Sequence, residues 1–346
     1  MEKIKTGIAS YGMSGSVFHA PFLEKNPKYE LSTIVERTKN LSQATYPNVR
    51  IARSVEEMIA DPALELIVVN TPHPTHFDYC KQALLAGKHV VCEKPFVFGV
   101  EHAVKLNELA EKAGRKLIVF QNRRWDGDFL TTKKVVESGV LGKVTEFVTS
   151  YLLFRGLRGN IWKEDPVGRT GLTYDLGSHL VDQVLLLFGL PKGVWSTMEV
   201  MRDGSRIVDY FMINMLYDGL RVTVKGSYVS RGDTTRFIVN GRNGSFVKCG
   251  LDPQEDRLKL GEMPGSPGWG EEPESAWGVL DTTTGGIHVK GKVETVAGNY
   301  MDFYESVYDC IRNGAPEPVR TAEVIDELRV LEAAHESYET GRTVWF

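Results

Sequence analysis

The sequence predicts an α/β chain: a doubly wound, parallel sheet comes first, and an α+β region with a large, mostly antiparallel open sheet follows. Three observations carry that expectation. The first third alternates short β-branched runs with helical patterns at the spacing of βαβ units. The run Leu64–Asn70 (Leu-Glu-Leu-Ile-Val-Val-Asn) is nearly continuous in apolar residues, as central parallel strands are, instead of alternating. Beyond Gln121 the period changes to long alternating runs separated by hairpin signals, Tyr217-Asp218-Gly219 and Asn240-Gly241-Arg242-Asn243-Gly244.

Taken in order, Ile4–Ser10 reads as a strand and Gly15–Glu24 as a helix, followed by a strand at Tyr29–Val35 and a short helix at Ser54–Ile59. After the Leu64–Asn70 strand, Phe77–Ala86 is helical and stops at Gly87, a residue suited to a left-handed helix end. His89–Cys92 is a strand, Glu101–Ala113 a helix stopped by Gly114, and Lys116–Phe120 a strand. The later region offers a helix near Asp128–Ser138, a strand at Val144–Leu153 and a helix from about Leu176 to Phe188. Strands then follow at Val194–Met201, Val208–Tyr217, Arg221–Val229, Arg236–Asn240 and Ser245–Cys249. Pro253–Gly278 is polar and rich in Pro and Gly, so a long loop is expected. Helices close the chain at about Tyr300–Asn313 and Ala322–Thr340, the latter with one face marked by Val324, Leu328, Leu331 and Tyr338.

A chain of 346 residues suits two domains, expected at 1–122 and 123–346, with the C-terminal helices able to pack back on the first. Apolar residues at 42% and charged residues at 25% exclude disorder as the main state. Lys and Arg total 41 against 45 Asp and Glu, a net charge of −4. That balance offers no general attraction to phosphate backbones or anionic lipid, so neither nucleic acid nor membrane is an expected partner. No apolar run reaches the ~18 residues needed to span a bilayer. The start reads as a first strand and lacks a secretory apolar region. Cys80, Cys92, Cys249 and Cys310 are scattered without a CxxC pair, which argues against a disulfide framework or a zinc site. A reduced, cytoplasmic setting is expected.

Candidate chemistry begins at Ser10-Tyr11-Gly12-Met13-Ser14-Gly15, which ends the first strand and runs into a helix. It matches the dinucleotide fingerprint GxGxxG at its second and third glycines, with Ser10 in place of the first. An acid is wanted about 20 residues on to bind the ribose hydroxyls, and Glu36 follows Thr33-Ile34-Val35. A carboxylate there repels a 2′-phosphate and favours NAD; the adjacent Arg37 is able to pair with that phosphate and keeps NADP open. Lys94, within Glu93-Lys94-Pro95, stands just past the carboxyl end of a strand, where open α/β sheets hold ligands. Asp175 and His179 are four apart and share one face if the segment is helical. The turn Thr71-Pro72-His73-Pro74-Thr75-His76 follows the third long strand, and His76 either serves the ligand or simply opens the next helix.

These residues together carry a resemblance. The Gly loop with Phe18-His19-Ala20-Pro21, the Thr71–His76 turn, Glu93-Lys94-Pro95, Asn122-Arg123-Arg124-Trp125 and Tyr174-Asp175…His179 resemble the glucose–fructose oxidoreductase/inositol dehydrogenase (Gfo/Idh/MocA) family. The likeness runs through nearly the whole chain, including Ser245-Phe246-Val247-Lys248 and Leu251–Asp256, and is nearest to the scyllo-inositol dehydrogenase-like subgroup. It implies an N-terminal Rossmann domain, a C-terminal domain whose open sheet mediates assembly into a homodimer or higher homo-oligomer, and Lys94, Asp175 and His179 as catalytic residues. NAD or NADP would be held by Ser10, Tyr11, Gly12, Met13, Ser14, Gly15, Glu36, Arg37, Thr71, Pro72, His73, His76, Glu93, Lys94 and Asn122. Arg124 and Trp162 would join Asp175 and His179 on the substrate, with Arg155 and Arg158 as further candidates. The implied reaction is reversible hydride transfer between nicotinamide and a secondary alcohol or ketone of a cyclitol or sugar. The alternatives are a catalytically silent dinucleotide-sensing regulator, or a diol dehydrogenase or tetrapyrrole reductase of the same superfamily.

Overall fold

In the computed structural model, which describes residues 2–157, 159, 164, 166, 170–232 and 235–346, the first third builds one parallel sheet. Its strands are β1 (Ile4–Ile8), β2 (Tyr29–Val35), β3 (Arg50–Ala52), β4 (Leu66–Val69), β5 (His89–Cys92) and β6 (Leu117–Val119), in spatial order β3-β2-β1-β4-β5-β6. Every pairing is parallel. The order reverses between β1 and β4, which is the switch point where sheets of this type open a crevice at their carboxyl ends. Strand β4 is buried on both faces, all four residues at 0% exposure, which is why its sequence does not alternate. Helices α1 (Ala20–Lys25), α2 (Val55–Ile59), α3 (His76–Leu85) and α4 (Val100–Ala113) fill the crossovers. Ser54 caps α2 by accepting the Glu57 N–H, and Gly114 ends α4 in the left-handed region.

The second region begins with α5 (Gly127–Glu137), β7 (Val144–Leu152), α6 (Leu172–Asp175) and α7 (Gly177–Phe188). Strands β8 (Gly193–Glu199), β9 (Tyr210–Tyr217), β10 (Leu220–Ser227), β11 (Thr235–Gly241) and β12 (Gly244–Cys249) follow. Next come α8 (Gln254–Lys259), the hairpin β13 (Gly278–Thr284) and β14 (Ile287–Val293), α9 (Met301–Asn313), α10 (Thr321–Thr340) and β15 (Val344–Trp345). Nine strands form one sheet in the order β14-β13-β12-β11-β7-β10-β9-β8-β15. Among the described residues, only the β7–β10 pair of this sheet is parallel. Leu180, Val181 and Val184 of α7 join Phe211, Ile213, Val222 and Val224 of the sheet in a fully buried core, each such side chain contributing about 1.5–3 kcal/mol by leaving water.

Two units divide the chain. Unit 1 comprises 1–122, 254–269 and 299–325; unit 2 comprises 123–253, 270–298 and 326–346. In unit 1, Tyr304 of α9 packs on Tyr29, Phe22 and Phe120, with ring centroids 5.6–6.4 Å apart.

Several expectations need correction. The loop expected over Pro253–Gly278 contains α8, whose six residues include only one aliphatic side chain, Leu258, and so show no apolar period. Strand β14, absent from the expected elements, alternates Ile287, Val289 and Val293 with His288, Lys290 and Lys292, a period-2 pattern whose apolar face is exposed, Ile287 at 67% and Val289 at 43%. The helix expected over about Leu176–Phe188 is α7, but Asp175 belongs to the separate α6 and Leu176 (φ −108°) stands between them, so Asp175 and His179 do not share one face of a continuous helix. On α10, Val324, Leu328 and Leu331 are buried as expected, but Tyr338 is 46% exposed.

Candidate functional site

At the carboxyl end of β1 the chain turns through Ser10, Tyr11 and Gly12, and a helix begins at Met13. Ser10 does locally what a turn requires: its Oγ accepts the Gly12 N–H at 3.3 Å. Gly15 cannot carry a side chain, because a Cβ would stand 2.1 Å from the Ser10 carbonyl oxygen and 2.9 Å from Asn70 Nδ2. The helix thus approaches the strand end as closely as the third fingerprint glycine demands. Gly12 and Met13 are exposed, and a Cβ on Gly12 would meet nothing nearer than Ser10 Oγ at 3.5 Å, so the turn presents open main chain at a helix N-terminus. Tyr11 lies edge-on to Tyr46 at 6.4 Å. Asn70, just past β4 across the switch point, donates to the Ser10 carbonyl at 2.9 Å, while its buried Oδ1 has no partner among the described residues. This cradle fits a dinucleotide pyrophosphate.

The loop after β2 differs from the open ribose acceptor expected at Glu36. Burial alone would raise its pKa, but three hydrogen bonds lower it: Oε2 accepts the Leu41 N–H (2.8 Å), and Oε1 accepts the Ser42 N–H (2.8 Å) and hydroxyl (2.6 Å). Glu36 therefore braces its own loop from within. Arg53 ties the same loop from the other side by donating to the Glu36 and Lys39 carbonyls and to Asn40 Oδ1. What the braced loop presents outward is Arg37, Thr38 and Lys39, all exposed.

Past β5, Glu93 is buried and Lys94 half-buried. Burial would raise the Glu93 pKa, but hydrogen bonds from His19 and Ser14 and the nearby Lys94 charge outweigh it and hold the carboxyl at about 2. His76 supports the same stretch. Its Nδ1 faces the Pro95 and Phe96 carbonyls at 3.0 and 2.9 Å, and its Nε2 faces the Thr71 carbonyl at 2.8 Å. Burial lowers the ring's pKa against the opposing pull of these carbonyls, and a neutral ring donates its one N–H to the main chain on one of the two sides. His76 joins the Thr71 turn to the segment after Lys94. Pro72 precedes the short helical turn His73–Thr75, and the Thr71 and Thr75 hydroxyls bond at 2.6 Å. His73 is buried against Phe98, with ring centroids 4.3 Å apart, and Asn122 is buried after β6.

In unit 2, His179 is 3% exposed and Asp175 half-buried. The Tyr228 hydroxyl lies 3.4 Å from Asp175 Oδ2, and the guanidinium groups of Arg155 and Arg202 lie 5.5 and 5.0 Å from the Tyr228 ring centre. On α7, Asp182 and Gln183 follow His179 at the three- and four-residue spacing that shares a helix face. Arg124 holds Asp182 in a two-pronged pair, Nε–Oδ2 2.8 Å and Nη2–Oδ1 2.6 Å, so its guanidinium is committed to α7. Gln183 donates to the Arg123 carbonyl (2.8 Å) and accepts from Arg236 (2.8 Å), which also reaches Thr149 (2.7 Å) and Asp128 (3.2 Å). Arg158 and Trp162 lie outside the described residues. No cluster able to hold a metal occurs among the described residues, and no described helix is long and apolar enough to cross a membrane.

Sequence reasoning gave no role to Asn70, His19, Tyr304, Asp182, Gln183 or Tyr228. Asp182 and Gln183 carried a usable signal, since both are polar on the otherwise apolar Leu180–Leu187 run. The others depend on partners far away in sequence.

Comparison with known proteins gives the arrangement its relatives. Residues 4–121 match the Gfo/Idh/MocA oxidoreductase family's NAD-binding Rossmann fold, and residues 133–346 match its C-terminal alpha/beta domain. The chain is 37% identical over 344 residues to the scyllo-inositol 2-dehydrogenase (NADP(+)) IolW of Bacillus subtilis, covering 99% of this chain and 96% of that one. It is 38% identical over 343 residues to the Escherichia coli oxidoreductase YdgJ, covering 99% of each. Among solved structures, an oxidoreductase from Bacteroides fragilis superposes with a TM-score of 0.92 at 42% identity, covering 100% of both chains. The yvaA oxidoreductase of Bacillus subtilis gives 0.96 at 36% identity, covering 100% of this chain and 99% of that one. The chain belongs to the Gfo/Idh/MocA oxidoreductase family, with an NAD-binding Rossmann fold ahead of that family's C-terminal α/β domain.

Proposed function

We propose that this protein is an NADP-preferring dehydrogenase that interconverts a secondary alcohol and a ketone on a cyclitol or sugar resembling scyllo-inositol. The observation that carries the reading is the buried His179 on the polar face of α7, four residues after the half-buried carboxylate of Asp175, in a chain that also places a lysine at the carboxyl end of a nucleotide-type strand. A bound nicotinamide coenzyme supplies the acceptor for the hydride leaving the carbinol carbon. His179 takes the hydroxyl proton, a general-base role open to an imidazole nitrogen. Lys94 donates a hydrogen bond to the same oxygen and stabilises its alkoxide character, and Asp175 orients a substrate hydroxyl or His179. The turn Ser10–Gly15 holds the pyrophosphate.

Two features support NADP over NAD. The Glu36 carboxylate is turned into its own loop, which weakens its repulsion of a 2′-phosphate, and Arg37 and Thr38 stand exposed beside it as donors. The 37%-identical relative is itself named for NADP. The test is a panel of cyclitols and sugars with both coenzymes, followed by reduced-coenzyme absorbance. The expected result is turnover of at least one polyol, with higher kcat/KM for NADP than for NAD. Arg37→Ala should lower kcat/KM with NADP by about 10–100-fold, the size of a lost charged hydrogen bond, and leave NAD nearly unchanged. Coenzyme binding without turnover of any polyol or sugar would overturn the dehydrogenase reading, and a preference for NAD would overturn the coenzyme assignment.

A further inference from the structure

One buried carboxylate gathers the phosphate turn and the strand-end lysine. Glu93 Oε1 accepts the Ser14 hydroxyl and the His19 Nε2–H (3.0 Å), while Oε2 accepts the main-chain N–H of Lys94 (3.0 Å). Ser14 and His19 are five residues apart, a spacing that places side chains on different faces of a regular α-helix. Here Gly15–His19 forms a π-helical turn, with the Ala20 N–H bonded to the Gly15 carbonyl. The wider turn brings His19 back to the side of Ser14, and such turns recur at functional sites.

His19 is fully buried, with its ring 4.4 Å from that of Phe120, and its Nδ1 lies 2.6 Å from the Tyr304 hydroxyl. Tyr304 is fixed in turn by Tyr29, whose hydroxyl donates to the Tyr304 carbonyl at 2.6 Å. With Nε2–H donating to Glu93, Nδ1 accepts the Tyr304 O–H, and every polar hydrogen of these side chains is used once.

We propose that Glu93 and His19 are positioning residues, locked by Tyr304, that give the coenzyme turn and the lysine main chain a common anchor. The proposal rests on the reading of the turn as the coenzyme site and of Lys94 as catalytic. It predicts a coupling that either role alone would not produce. A carboxylate accepts at both oxygens; a glutamine accepts at one, so Glu93→Gln keeps the Lys94 N–H only by turning its NH2 toward Ser14 and His19, whose hydroxyl and ring hydrogens must then reverse.

The experiment compares Glu93→Gln, His19→Gln, their double variant, Tyr304→Phe and Lys94→Met. It measures NADP dissociation constants by calorimetry, kcat, KM for the polyol, and Tm. Glu93→Gln and His19→Gln should each weaken NADP binding and lower kcat by about tenfold or more, with KM for the polyol nearly unchanged. The double variant should be no worse than the poorer single, since both break one network, and Tyr304→Phe should shift both quantities the same way by less. In the coenzyme-free protein, 15N imidazole shifts should show a proton on His19 Nε2. Effects confined to Tm, with kcat and binding within twofold, or additive losses in the double variant, would overturn the proposal. If the Glu93 and His19 variants do not fold, Tyr304→Phe and the 15N spectrum decide it, and an Nδ1–H tautomer overturns it. Full activity in Lys94→Met would strike the dehydrogenase reading instead, while the binding arm would still test the anchor.

Discussion

Unit 1 holds its candidate groups mainly through the main chain, whereas unit 2 holds its own through buried ion pairs. In unit 1, Glu93 accepts a backbone N–H, Glu36 accepts two, and His76 faces backbone carbonyls on both sides. Ends of parallel strands leave such groups without ladder partners, so a side chain that fills them fixes the loop at the place where ligands bind. In unit 2 the braces are Arg124–Asp182, Arg236–Asp128 and Arg202–Asp209, all buried. Those charges have already lost their water, so each depends on its partner. The difference teaches that loss of a brace should be graded in unit 1 and severe in unit 2.

The largest effect expected is on turnover. His179→Ala and Lys94→Met should each lower kcat by about 10²–10⁴-fold with NADP binding little changed, and Asp175→Asn should be milder. Steady-state rates beside calorimetry check this; near-normal turnover in both would remove the catalytic assignment from both units. Next is Asp182→Ala, which takes the two-pronged carboxylate away from the buried Arg124 guanidinium and should cost about 3–5 kcal/mol of stability in urea unfolding. Replacing both partners, Arg124→Met with Asp182→Leu, should recover most of that stability. In unit 1, His76→Phe strands carbonyls instead of a charge and should cost about 1–3 kcal/mol. If Asp182→Ala costs no more than His76→Phe, the contrast between the units fails.

The smallest effect is on pH dependence. The Glu93 carboxyl titrates near 2, below the ordinary glutamate value of 4.5. Its ionised form therefore contributes stability that is complete above pH 4.5 and is lost as pH falls toward 2. Glu93→Gln should flatten that acid limb in urea titrations at successive pH values. An unchanged limb would mean that other carboxylates set it.

Strands were legible where burial imposes a pattern. Tyr29–Val35 and His89–Cys92 have the ends expected from their apolar runs, and the parallel order follows from βαβ spacing. The six-residue α8 left no such trace, because it carries no apolar stripe, whereas β14 does alternate but turns its apolar side chains outward instead of burying them. At the candidate site, residue types were legible but commitments were not. Glu36 announces a carboxylate at a strand end, yet its direction is set by the Leu41 and Ser42 amides. Arg124 reads as an available cation until Asp182, 58 positions later, takes it. The Ser14–Glu93 bond spans 79 residues and depends on a π-helical turn that no propensity signals.

Tyr304 lies 285 residues after the histidine it bonds, which sets a schedule for synthesis. At about 5–20 residues per second, α9 follows residue 122 out of the ribosome by roughly 10–40 s. Throughout that interval all six strands of the parallel sheet exist, but Phe22, Tyr29 and Phe120 lack their aromatic cover and His19 lacks its hydroxyl partner. A nascent chain at that stage therefore still has to wait for α9 before these aromatic faces are covered.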